Sequence, residues 1–336
     1  MERDSLPETS QPSADGERLS LLYTVAFDMP GEVKHRQMVK MLAGSVARTF
    51  FTGDMVVVRN SPQPVFLVQR AGIEEYFVEA PALEHQALAD YAIAFKAEAR
   101  HHLPAVENYA WVVFVDADCL CLRNIDHLLQ EREEVDILYQ PERGRSRGEE
   151  VFNGYLTTGE VGEKSEGGRL KDERRQGEQT PNIEPTTGRQ ASQSSTPSQH
   201  GAPGTGHRTL SLVPPREWGV NSGTWAVRGH CYRAVMEEWA RIQETEPVRP
   251  TKWREQSAWN RLILDAGQHG WRAEAFEPHE IQFPLHLDRD WNLYKDAAIV
   301  HCTGGTNLEK IEFMFGLYMQ RFFYDPSCTL LNVVEM

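Results

Sequence analysis

Apolar residues along this chain fall into short runs, and the spacing within the runs changes from continuous to helical and back. Residues 19–27, LSLLYTVAF, are nearly all apolar and read as a buried strand that ends at Asp28-Met29-Pro30-Gly31. Met38, Met41, Leu42 and Val46 then recur at helical spacing, and strands are expected around 55–58 and 65–68. Leu83, Ala87, Tyr91, Phe95 and Ala99 share one face of a helix predicted over 83–100, which Pro104 closes. Residues 111–115, WVVFV, have the continuous apolar character of a strand buried on both faces, and 135–139 reads as another strand. Strands and helices alternating in this way predict an α/β fold with a mostly parallel central sheet flanked by helices.

The pattern stops between Tyr155 and Trp218, a stretch with no aromatic residue. It is rich in Gly, Ser, Thr, Gln, Glu, Arg and Pro, which bury too little apolar surface to offset the entropy of ordering a chain. A disordered insertion is therefore expected over 156–212, and a disordered tail over 1–18. Between and after them, 19–336 is expected to form one domain. Order resumes over 217–227, followed by a helix with Cys231, Val235, Trp239 and Ile242 on one face. A second helix over 254–266 is expected to stop at Gly267. Residues 297–300 read as a short strand leading to His301. A last helix over 308–324 carries a stripe of Ile311, Phe315, Tyr318 and Phe322, read as core packing.

Composition narrows the function classes. The formal net charge of −14 over 336 residues argues against nucleic acid as a partner, since phosphate backbones need basic surface. A nucleotide ligand stays open, because a bound metal can supply local positive charge. The five cysteines, an odd number without short metal-binding pairs, suggest reduced thiols, with Cys119 and Cys121 buried. The first residues lack the apolar core of a signal peptide, and no run approaches the roughly 18 apolar residues of a membrane span. A cytoplasmic location is expected.

The chemistry concentrates after WVVFV, at Asp116-Ala117-Asp118. Side chains two apart on an extended segment point the same way, so the two carboxylates are expected to face one point. The carboxyl end of a central strand is where open α/β sheets bind ligands. A divalent cation would neutralise the pair. A capping role for one Asp and a salt bridge for the other is the plainer alternative.

The run over 111–129, WVVFVDADCLCLRNIDHLL, resembles the metal-binding motif of GT-A glycosyltransferases, most closely glycosyltransferase family 8, the glycogenin-like enzymes. Three further segments resemble that family's elements in the same order: Asn221-Ser222-Gly223, then Glu255-Gln256 with Asn260, then His301-Cys302-Thr303-Gly304. The resemblance covers about 19–155 and 213–315. It implies a GT-A, Rossmann-like nucleotide-diphospho-sugar transferase fold, with a nucleotide-sugar half over 19–155 and an acceptor half over 213–336. Metal ligands would be Asp116, Asp118 and His301, and two carboxylates with an imidazole suit Mn2+, with Mg2+ as second choice. The donor would lie against Ala26, Phe27, Asp28, Lys96, Asp116, Ala117, Ser222, Gly304 and Lys310. Glu255, Gln256 and Asn221 would steady charge and position at the reacting sugar.

Two departures stand out. Glu255 occupies the place of the family's Asp, and Asn307 stands in the register of its phosphate-binding Lys, with Lys310 the first lysine beyond. The implied reaction is metal-dependent transfer of a hexose, glucose or galactose, from a UDP-sugar to a carbohydrate or other hydroxyl acceptor, with retention. A sugar nucleotidyltransferase is the alternative enzyme, although MPGEVKHR is a poor version of the Gly-rich basic loop such enzymes carry after the first strand. A noncatalytic GT-A shell is the alternative from another class.

Overall fold

Runs without a polar interruption need apolar cover on both sides, and the computed structural model places two of them side by side at the middle of a sheet. It describes residues 20–29, 34–66, 72–81, 83, 85–147, 152, 218–245, 254–282, 287 and 289–324. The expected tail and insertion lie outside the described residues. Strands β1 (Leu21–Ala26) and β4 (Trp111–Val115) are parallel neighbours, with Tyr23 opposite Phe114. Every residue of β4 is buried. With β2 (Asp54–Arg59), β3 (Ile73–Phe77), β6 (Ile137–Ser146), β7 (Trp218–Arg228) and β8 (Ala273–Ala275) they form a seven-stranded sheet in the order β3-β2-β1-β4-β7-β6-β8. Only β7 runs against its neighbours, β4 and β6. The fold is α/β, with a mostly parallel central sheet.

A second sheet did not announce itself in the sequence. Strands β5 (Cys119–Cys121), β9 (Ile281–Gln282) and β10 (Ile299–His301) pair in the order β5-β10-β9. Two- and three-residue strands leave no periodic trace. The expected strand before His301 therefore exists, but outside the main sheet.

Alternate residues of the main sheet feed two cores. On one face Tyr23, Phe114 and Trp225 pack with Tyr232 and Trp239 of α4 (Gly229–Thr245) and Trp259 of α5 (Arg254–Asp265). On the other, Leu22, Val113 and Ala226 pack against Val39, Leu42 and Ala43 of α1 (Lys34–Arg48). Helix α2 (His85–Glu98) covers the first face through Leu88 and Phe95. The short α3 (Asp126–Gln130) covers the second through Leu129. Trp225 is fully buried, with ring centroids 5.3 Å from both Phe114 and Trp259 and 5.9 Å from Trp239. Trp225→Ala should cost about 4 kcal/mol of folding free energy, read as a lower urea midpoint at unchanged slope.

Several sequence expectations shift. The strand expected at 65–68 lies partly outside the described residues; Val65 and Phe66 donate their backbone N–H groups to the Glu75 carboxylate at 2.7 and 2.9 Å, and the strand that follows β2 is β3. β3 lies at a sheet edge and reads IEEYF, and edge strands carry charge where central strands cannot. Leu83 is exposed and precedes α2. The left-handed cap after α5 is Gly270, at φ 78°, because a 3-10 turn over Ala266–His269 extends the helix past Gly267.

The final helix, α6 (Asn307–Met319), is apolar almost all round, so periodicity could not fix which stripe faces inward. Phe313, Met314 and Leu317 are buried while Phe315 is exposed. Phe313 sets that rotation by packing on Trp291 and Tyr294, at 5.4 and 5.7 Å. Cys119, Cys121, Cys231 and Cys302 are free thiols, all buried; Cys328 lies outside the described residues. No described helix is long and apolar enough to cross a membrane.

Candidate functional site

The chain leaves β4 at Val115 and turns at once. Cys119 N–H donates to Asp116 O at 3.0 Å, which folds Asp116-Ala117-Asp118 into a tight turn before β5. The two carboxylates therefore approach each other through a turn, and not through the extended alternation expected of them. Asp116 N–H is anchored on Gly223 O at 2.8 Å, and Asp118 O accepts from Cys302 N–H at 2.8 Å. Ala117 is buried beneath the turn in the second core.

His301, at the end of β10, is the third member. Its Nε2 lies 3.3 Å from Asp118 Oδ1 and 3.6 Å from Asp116 Oδ2. Its Nδ1 lies 3.2 Å from Gln140 Oε1, and with the proton assigned to Nδ1 the Nε2 lone pair faces both carboxylates. Two carboxylates thus flank one imidazole nitrogen, and the ligand atoms of Asp118, Cys119 and His301 lie within 4.8 Å of one another. That arrangement suits a protonated imidazole or a cation.

Two lysines close the cluster. Lys96 of α2, 7% exposed, places Nζ 3.0 Å from Asp116 Oδ1 and 3.3 Å from Ser222 O. Lys310, in the first turn of α6, places Nζ 2.6 Å from Asp118 Oδ2. Burial opposes charge on both ammonium groups. Asp116 and Glu255 outweigh it at Lys96, and Asp118 outweighs it at Lys310, so both pKa values rise above the ordinary lysine value. Burial likewise works against an ionised Asp118, but His301 and Lys310 reverse it and hold the carboxyl well below the usual range.

β7 supplies the floor. Its register against β6 jumps from Trp225 opposite Tyr139 to Asn221 opposite Gln140, so residues 222–224 bulge away from β6. Asn221-Ser222-Gly223 therefore lies within a strand and not ahead of one. A Cβ on Gly223 would sit 2.1 Å from His301 Cε1 and 2.5 Å from Asp116 Oδ2; only hydrogen fits there. Asn221 Oδ1 accepts from Gly223 N–H at 2.7 Å, and its Nδ2 donates to Glu142 Oε2 at 3.2 Å and Gln256 Oε1 at 3.3 Å.

The first turn of α5 faces this bulge. Ser222 Oγ donates to Glu255 Oε1 at 3.2 Å, and Trp239 Nε1 fixes Glu255 from behind by donating to its backbone oxygen at 2.9 Å. Burial raises the Glu255 carboxyl, Lys96 opposes the rise, and Asp116 adds to it. Asn260 takes no part in this network; its Nδ2 donates to Phe152 O at 2.8 Å.

Other sequence candidates sit at the margin. Ala26 and Phe27 are buried, and Phe27 packs on Tyr91 and Phe95 at 6.0 and 5.0 Å. Asp28 is engaged by Arg36 Nε at 2.6 Å and by the Asn60 side chain. Because β1 and β4 are parallel neighbours, these residues share the sheet edge of Asp116 without joining its cluster. Gly304 and Gly305, at φ 81° and 64°, shape the loop between β10 and α6 in a conformation other residues rarely adopt.

Two buried residues were missed. Gln140 orients His301. Glu142 holds Asn221 and accepts from Arg145 Nη1 at 3.0 Å. Their signal was present: two polar side chains at alternate positions directly after the apolar Ile137-Leu138-Tyr139 share one strand face.

No protein-family profile matches the chain, and no curated protein sequence does. Among solved structures it is similar to the bifunctional glycosyltransferase WbbM in its apo form, at 12% identity and a TM-score of 0.48 over 91% of this chain. That match takes in 50% of WbbM, so the chain spans about half of that protein's length. It is also similar to a glycosyltransferase involved in glycosylation of the major capsid of PBCV-1, at 10% identity and a TM-score of 0.44, over 88% of this chain and 98% of that one.

Proposed function

We propose that the chain is a divalent-cation-dependent glycosyltransferase that moves a hexose, glucose or galactose, from a UDP-sugar to a hydroxyl acceptor. The observation carrying this reading is the pair of carboxylates beside one imidazole nitrogen, Asp118 at 3.3 Å and Asp116 at 3.6 Å from His301 Nε2, with the far nitrogen tied to Gln140. Two carboxylates and an oriented imidazole are a donor set that fits Mn2+, then Mg2+. When bound, the cation would act as a Lewis acid toward the diphosphate leaving group.

The protein's own groups account for the rest. Lys96 pairs with Asp116 and Lys310 with Asp118, and both supply positive charge where a departing diphosphate would gather negative charge. The loop of Gly304 and Gly305 lets backbone N–H groups approach a phosphate closely. Asn221, Ser222 and Gln256 offer neutral hydrogen-bonding groups suited to sugar hydroxyls. Glu255 is buried and held by Ser222 and by the backbone anchor on Trp239, which suits it to steady positive charge on the sugar ring. Retention would follow from attack on the leaving-group face, with a departing phosphate oxygen taking the acceptor's proton.

A screen of UDP-sugars for slow hydrolysis in Mn2+ tests the reading without knowledge of the acceptor. UDP release from one UDP-hexose, abolished by chelation, is the expected result. Pyrophosphate release that requires a nucleoside triphosphate would replace this reading with a nucleotidyltransferase. Manganese-dependent UDP binding with no turnover of any UDP-sugar would leave a binding protein.

A further inference from the structure

The three groups around Asp118 arrive on three elements, and the far ends of those elements meet again at a cavity of about 590 Å³. Asp118 immediately precedes β5, and the other end of β5 runs into Leu122 and Arg123. His301 ends β10, which begins just after Lys295 and Asp296. Lys310 lies in the first turn of α6, and the chain beyond α6 brings in Arg321. β5 and β10 are antiparallel, with Cys119 opposite His301 and Cys121 opposite Ile299, so both strands join the cluster to the cavity directly.

The cavity's chemistry is not that of the chain as a whole. Arg123, Lys295 and Arg321 line it, with Asp296 as its lone acid, on a chain of net charge −14. Arg123 Nη2 bridges Asp296 Oδ1 at 3.0 Å and Lys295 O at 3.2 Å, and Arg321 Nε donates to Leu122 O at 3.2 Å. These bonds hold both guanidinium groups at the rim, and Arg123 keeps further N–H donors. Trp291, half-buried, adds a ring face, and Asn292 adds an amide. Clustered guanidinium and ammonium groups select a phosphomonoester, and an aromatic face with an amide beside it suits a sugar ring. The volume lies in the range of small-molecule sites.

We propose that this cavity is a regulatory site for a small sugar phosphate, which acts on the Asp118–His301–Lys310 cluster by fastening the far ends of β5, β10 and α6. Its effect on turnover rests on the proposed glycosyltransferase reading; binding and coupling do not. Glucose 6-phosphate is the probe, titrated calorimetrically into the full chain without divalent cation, beside glucose and inorganic phosphate. Saturable binding is expected for glucose 6-phosphate, weakened about tenfold by each of Arg123→Glu and Lys295→Glu, as for loss of a charge-assisted contact. Asp118→Asn should still bind it saturably, weakened by no more than about tenfold because coupling is reciprocal, which separates the cavity from the donor site.

Coupling is read by amide exchange. The Cys302 and Cys119 N–H groups, bonded to Asp118 O and Asp116 O, should exchange about tenfold more slowly with the probe bound. Undiminished binding by Lys295→Glu, or loss of binding in Asp118→Asn, would overturn the site. Equal affinity for inorganic phosphate would overturn the sugar assignment, and unchanged exchange would overturn the coupling. Failure of the UDP-sugar screen would leave all of these measurements standing.

Discussion

Asp118→Asn is expected to lower manganese-dependent release of UDP by about a thousandfold, the equivalent of about 4 kcal/mol of lost transition-state stabilisation. The substitution keeps the side chain's volume and removes its charge. Asp118 is the carboxylate closest to His301 Nε2, at 3.3 Å, and the partner of Lys310 at 2.6 Å. An amide there would leave Lys310 without its counter-ion, so a fall in stability is expected as well. Lys310→Met separates the two effects, because it breaks the same ion pair and leaves Asp116, Asp118 and His301 in place. Manganese affinity, measured by electron paramagnetic resonance of the free ion, should collapse in Asp118→Asn and persist in Lys310→Met. Equal affinity in Asp118→Asn and the parent protein would remove the cation from the proposed reaction.

The second large effect comes from a residue with no functional group. Gly223→Ala would drive a methyl to within 2.1 Å of His301 Cε1 and 2.5 Å of Asp116 Oδ2, well inside contact distance. His301 has no room to withdraw, being 3% exposed and tied to Gln140, and Asp116 is held by Lys96. Overpacking of this kind costs about 3 kcal/mol, and here the strain falls on the site itself. Activity is therefore expected to vanish at temperatures where circular dichroism still reports a folded chain. Gly267→Ala is the control, since a Cβ there meets nothing within 4 Å, and it should leave both stability and activity unchanged. Full activity in Gly223→Ala would mean that His301 need not sit where the structure places it.

Legibility in the sequence followed depth of burial. β4 reads plainly because all five of its residues are buried, and α4 because Cys231, Val235, Trp239 and Ile242 keep one face through about three turns. β3 hid because edge strands tolerate glutamate, and the second sheet hid because strands of two or three residues have no period to detect. At the site, Asp116 and Asp118 were legible from their place after an apolar strand, and Asn221, Glu255, Gln256 and His301 through the family resemblance; the fold brings these segments to one region. The reason offered for the first pair was wrong in its geometry: a turn closed by Cys119 N–H brings the carboxylates round, not a straight strand. Gln140 and Glu142 left a local signal, polar side chains at alternate positions after an apolar run, but not their partners, which follow from the pairing of β6 with the bulged β7.

That strand also sets the order in which the molecule can be completed. β3, β2, β1 and β4 are contiguous in the sheet and all come from the first part of the chain, whereas β6 touches only β7 and β8, both made later. During synthesis the leading half can therefore close a four-stranded sheet while Gln140 and Glu142 wait on an unpaired strand. Inserting β7 between β4 and β6 is a long-range step of the kind that slows folding. It joins the two halves and seats Gly223 under His301 in the same event. Refolding experiments should accordingly find site assembly in the slowest phase, after most of the secondary structure has formed.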